Sequence, residues 1–149
     1  MSAGSQRLPL TSDLDVADAT RAARQLAQTC GLSPVEAQHV ATAVSEVATN
    51  ACKYAGGGEV ELSPTGAEGR AGVLVSVRDT GPGIRDVAAA LREGYGTNDG
   101  LGLGLPGVSR IMADFEIDTV VGRGTSVHMT KWRERDELER LRAERMPAR

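Results

Sequence analysis

Glu46, Asn50 and Lys53 recur at i, i+4 and i+7. On a helix that spacing brings their side chains within about 60° of arc. A carboxylate, an amide oxygen and an ammonium in one column can hold magnesium and phosphate together. The hard cation takes oxygen ligands, and phosphate oxygens take positive charge. Asp79 closes the apolar run Val73-Leu74-Val75-Ser76-Val77 and is followed by Gly81-Pro82-Gly83. An acceptor at a strand end, beside glycines that admit a flat ligand, suits an exocyclic amine. A third element is the stretch from Gly94 to Gly107, with glycines at 94, 96, 100, 102 and 104. Such density costs conformational entropy unless the backbone has a special task. Backbone N–H groups running from it into a helix N-terminus would cradle phosphate oxygens. Each element alone has a plainer reading: a solvated helix face, an Asp-Gly turn, a flexible surface loop.

The glycine-rich stretch lacks the GKS or GKT ending of a P-loop, and it does not follow the first strand as a Rossmann turn would. Taken together, in this order and spacing, the three elements resemble the ATP-binding domains of the GHKL superfamily. Glu46-Val47-Ala48-Thr49-Asn50-Ala51-Cys52-Lys53-Tyr54 looks like its N box and Asp79-Thr80-Gly81-Pro82-Gly83-Ile84 like its G1 box. Gly100-Leu101-Gly102-Leu103-Gly104 looks like the G2 lid, and Gly122-Arg123-Gly124-Thr125 like the last box. The resemblance runs from about residue 33 to 132. Within the superfamily, GLGLGLPGVSRIMADF, from Gly100 to Phe115, is similar to the small bacterial serine/threonine kinases of stress signalling, the anti-sigma regulatory factor family with its stressosome switch kinases. Lys53 stands where those kinases often carry His.

The resemblance implies an α+β fold, a two-layer sandwich of the Bergerat type with helices on one face of a mixed, mainly antiparallel sheet. It implies a protein serine/threonine kinase using ATP and Mg2+. Glu46 would be the general base, where histidine kinases tend to carry Asn. Asn50 would give magnesium an oxygen and Lys53 would add a charge near the phosphates. Asp79 would accept from the adenine amine with support from Thr125, and Gly81 and Gly83 would let the base lie close. Gly100, Leu101, Gly102, Leu103 and Gly104 would fold over the phosphates. The implied substrate is a STAS-domain protein, with a phosphatase regulatory domain or a sigma factor as further partner. The alternative within the family is an anti-sigma factor that sequesters a sigma factor and phosphorylates its antagonist.

These groups need elements to position them. Residues 6–12 alternate as an edge strand, where Pro9 is tolerated. Val16, Ala19, Ala23, Leu26 and Ala27 predict a helix over 13–30, with Gly31 at its C-cap. Ser33-Pro34-Val35-Glu36 forms a capping box that opens a helix to about Tyr54. Strands are predicted at 59–63 and 73–78 around a turn at 65–72. Helices are expected at 86–93 and 106–113, and a closing strand pair at 115–121 and 125–132. The domain would span 1–132, leaving 133–149 as a charged helical tail.

Composition narrows the alternatives. With 149 residues the chain fits one domain. Aromatics are only 3%, so the core must be built from Val, Leu, Ile and Ala. A net charge of −3 argues against a nucleic-acid footprint, which wants a concentrated positive face. Cys30 and Cys52 lie in apolar helical patterns as reduced, buried thiols, and no Cys/His spacing suggests zinc. His39 and His128 show no partner pattern. No run reaches membrane-span length and no secretion signal opens the chain, so the expected compartment is the cytoplasm.

Overall fold

The capping box forms as its residues dictate. In the computed structural model, which describes residues 4–93, 104–134, 141–142 and 144–145, Ser33 Oγ accepts from the Glu36 N–H at 3.1 Å. Glu36 Oε1 accepts from the Ser33 N–H at 2.7 Å. Helix α2, Pro34–Ala55, follows and ends at Gly56 in the left-handed region. Before it, α1 covers Asp13–Thr29 and closes as a Schellman motif. Gly31 N donates to Gln28 O at 3.0 Å and Leu32 N to Ala27 O at 3.0 Å.

Five strands make one sheet in the order β1-β2-β3-β5-β4, and all four pairings are antiparallel. The strands are β1 Gln6–Leu10, β2 Gly58–Ala67, β3 Arg70–Arg78, β4 Ala113–Val120 and β5 Gly124–Trp132. Strand β1 takes the predicted edge. Two short helices, α3 Val87–Glu93 and α4 Gly104–Ile111, fill the link from β3 to β4. Asp86 caps α3 by accepting from the Ala89 N–H at 2.9 Å.

Register places Val60 beside Val77 and Leu62 beside Val75, with Val127 on the far side of Val77 and Met129 on the far side of Val75. This row faces the helices, and the core joins it to Ala19, Ala23 and Leu26 of α1 and to Val40, Val44, Val47 and Ala48 of α2. Small alanines on both helices let them approach closely without aromatic filler. The opposite sheet face is polar. Glu61 accepts from Arg7 and Arg78, both at 3.2 Å, and these bonds hold its carboxyl below the ordinary carboxylate value. His128 meets Ser76 at 2.9 Å and Asp118 at 3.5 Å.

The turn expected over 65–72 shrinks to Glu68-Gly69, both at positive φ (53° and 75°). Gly72 belongs to β3 because the Trp132 ring lies against it, where a Cβ would come within 2.8 Å. Trp132 Nε1 donates to Asp114 Oδ2 at 3.3 Å, and the Arg70 guanidinium lies 5.6 Å from the ring centre. Helix α4 begins at Gly104, earlier than expected, and gives Ala113 to β4. Of the tail, 141–142 and 144–145 are helical, and the rest of that expectation lies outside the described residues.

Glu36 also binds the far end of the chain, since its Oε2 accepts from the Glu134 N–H at 2.7 Å. Burial raises its carboxyl pKa, but the bonds from Ser33 and Glu134 outweigh that and leave it below the ordinary carboxylate value. Glu36→Ala is expected to cost ~1–3 kcal/mol near neutral pH, read by thermal melts. A depressed folded pKa stabilises above the unfolded value and loses that contribution as pH falls through the folded one. The gap between wild type and variant should therefore be full at about pH 7 and narrow as pH falls through the folded value.

Candidate functional site

Asp79 leaves β3 with its backbone and side chain both engaged. Its N–H donates to Thr125 O at 2.9 Å, and its Oδ1 accepts from Gly81 N at 2.9 Å and Thr125 N at 3.2 Å. Oδ2 takes no bond within the described residues and is available to a ligand. Asp79 lines a cleft between α2 and the ends of β3 and β5. Val47 and Ala51 form the helix wall, Val77 and Val127 the sheet wall, and Ile84 and Leu105 lie across from them. Thr125 and Asn50 add polar edges. A slot with apolar walls and a fixed carboxylate at one end fits a flat heteroaromatic ring bearing an amine.

The loop after Asp79 is held in place by its glycines. A Cβ on Gly81 would lie 2.4 Å from Ala55 Cβ, so α2 and the loop close to this distance only with Gly there. Gly83 takes φ 78° with Val120 O 2.7 Å from where its Cβ would be. Pro82 O accepts from Gly122 N at 2.8 Å, tying the loop to the β4–β5 hairpin.

Along α2 the polar groups order themselves as their spacing predicts. Tyr54 and Ala55 line the cleft near Asp79. Asn50, part-buried, also lines it, and its Nδ2 is buried with no hydrogen-bond partner among the described residues, so a ligand can satisfy the amide. Glu46 is 1% exposed and lies about 14 Å from Ala55 along the axis at about 1.5 Å per residue. Lys53 follows on the same face of α2. It is exposed, outside the cleft lining, with its ammonium 4.9 Å from the Tyr54 ring centre.

Gly104, buried at φ 59°, opens α4, and a helix N-terminus favours an anion. At the other end of that helix Lys131 Nζ donates to Ile111 O at 2.7 Å, a cation where the helix dipole is negative. Gly100, Leu101, Gly102 and Leu103 lie outside the described residues. Among the described residues no three His, Cys, Asp or Glu side chains cluster as a metal site. The Asn50 amide oxygen would be the protein ligand of a magnesium ion that takes its other ligands from substrate phosphates and water. Both cysteines are free, and burial pushes both thiols above their ordinary value, with Asp13 and Asp15 adding to the effect at Cys52. That fits structural thiols.

Sequence reasoning missed Thr119. Its hydroxyl accepts from Ile84 N at 2.9 Å and meets Thr125 Oγ1 at 2.9 Å. The signal was present in the hairpin itself, where Thr119 and Thr125 are cross-strand partners flanking the Gly122-Arg123-Gly124 turn.

Residues 8–131 match the family described as histidine kinase-like ATPase domain. The chain is similar to serine/threonine-protein kinase RsbT of Bacillus subtilis (strain 168), 35% identical over 123 residues that cover 83% of this chain and 92% of that protein. It also resembles a chain in the crystal structure of the SiaB–SiaC complex from Pseudomonas aeruginosa, with a TM-score of 0.52 and 17% identity over 86% of this chain and 88% of that one, a likeness of fold. Among the described residues no helix is long and apolar enough to cross a membrane.

Proposed function

The chain belongs to the histidine kinase-like ATPase family, and from that premise we propose that it is a cytoplasmic protein serine/threonine kinase acting on a STAS-domain partner in stress signalling. The observation that carries the reading is the order of groups along α2. An apolar cleft at Asp79, a buried amide at Asn50 and a buried carboxylate at Glu46 follow one another over about the length of an extended nucleoside triphosphate.

Adenine enters the cleft with its amine toward Asp79 Oδ2. The phosphates run along α2 past Asn50 toward the N-terminus of α4. Magnesium, when bound, neutralises charge developing on the phosphates. Glu46 removes the proton from the acceptor hydroxyl as its oxygen bonds to the γ-phosphorus, and the bond to the bridging oxygen breaks to release ADP. A partner held against this face loses affinity once modified, because its phosphate adds about two negative charges beside Glu46.

The test is to mix the chain with γ-labelled ATP and a STAS-domain protein, then identify the labelled amino acid. Label on serine or threonine of the partner is expected; absence of transfer overturns the kinase reading. A stable complex with a sigma factor that ATP and the STAS protein dissolve would move the chain to the anti-sigma class. Asn50→Ala separates the metal role. Its nucleotide affinity should fall about tenfold with magnesium present and change little in EDTA, as read by calorimetry.

A further inference from the structure

Thr119 does not line the nucleotide cleft, yet three contacts converge on its hydroxyl. Ile84 N–H donates to it at 2.9 Å, Gly124 O lies at 3.2 Å, and Thr125 Oγ1 at 2.9 Å. A threonine hydroxyl has one proton and two lone pairs. Ile84 occupies one lone pair. Gly124 O can only accept, so the Thr119 proton goes there. Thr125 must then give its own proton to the second lone pair of Thr119. This is the one assignment in which all three contacts are hydrogen bonds, because a Thr119 proton turned toward Thr125 would leave the Gly124 contact without a hydrogen.

The consequence falls on the other side of Thr125, which does line the cleft. With its proton committed to Thr119, Thr125 Oγ1 presents only lone pairs to a ligand or to a water beside it. Asp79 Oδ2 presents the same. We infer that Thr119 is a positioning residue which, by fixing the direction of the Thr125 hydroxyl, strengthens the preference of the cleft for a 6-amino over a 6-oxo purine. The inference rests on the nucleotide reading above. Without Thr119 the Thr125 hydroxyl can turn and donate to an oxo group, so part of the discrimination disappears while Asp79 keeps the remainder.

The experiment measures calorimetric affinities for ATP and ITP in wild type, Thr119→Val and Thr119→Ser, with Thr119→Ala in place of Val if the Val variant does not fold. The Val variant is expected to lower the ATP-to-ITP affinity ratio about three- to tenfold, and the Ser variant to restore it. In a Thr125→Val background the same Thr119 change should leave the ratio where it was. A merely structural role, through the bond to Ile84, would weaken both nucleotides alike and leave the ratio unmoved. An unchanged ratio in Thr119→Val, or an equal shift with Thr125 already removed, overturns the inference while ATP binding by wild type stands. Failure of wild type to bind ATP overturns the nucleotide reading itself.

Discussion

Glu46→Gln should lower phosphoryl transfer by about 10²–10⁴-fold, the usual contribution of a positioned general base. The amide keeps the volume and one acceptor oxygen but takes no proton at neutral pH. Glu46 is 1% exposed and lies about 14 Å along α2 from the adenine end of the cleft, so nucleotide affinity should stay within about threefold of wild type. The two readouts are label transfer to the partner protein and calorimetric binding of ATP on the same preparation. Transfer at the wild-type rate would remove the base assignment. A parallel loss of binding would recast Glu46 as a structural group.

Asp79→Asn should weaken ATP binding about tenfold or more. Oδ1 already accepts two backbone N–H groups, from Gly81 and Thr125. The variant keeps those bonds by leaving its carbonyl oxygen in that place, which forces the new amide nitrogen to take the position of Oδ2. Two donors then face one another across the cleft, a mismatch of ~1–3 kcal/mol. Because the turn retains its acceptor, the melting temperature should move little. Equal ATP affinity in variant and wild type would exclude Asp79 as the partner of the amine.

The parts of this site that sequence makes legible are those set by local chemistry. Ser33, Pro34 and Glu36 announce the start of α2 because capping is decided within one turn. Once that helix has its phase, Glu46 and Asn50 follow by periodicity, and Asp79 follows from the end of an apolar run. Lys53 follows by the same periodicity, which fixes its Cα but not the reach of its side chain. Its Cα shares the face, but a long flexible side chain can carry its charge elsewhere, and the ammonium lies near the Tyr54 ring. Gly72 was misread as a turn residue because the reason for it lies across the sheet in Trp132, far along the chain. Thr119 was missed for a related cause, since a hydroxyl gains its role only when register sets it opposite Thr125 and under Ile84. The early start of α4 is a tertiary effect as well. Leu105 and Val108 are buried against the core, and that burial offsets the poor helix propensity of Gly104.

The Trp132 corner has a practical consequence. This is the single indole of the chain, pinned through its N–H to Asp114 and flanked by the Arg70 guanidinium. Its partner Gly72 lies near the start of β3, while Asp79 follows the end of that strand, about 20 Å away at about 3.3 Å per residue. Ultraviolet emission from the protein therefore comes almost wholly from a spot remote from the nucleotide. It should shift when the β3–β5 end opens in denaturant and stay constant as ATP is titrated. An unfolding curve and a binding curve can then be collected on one sample without either signal contaminating the other.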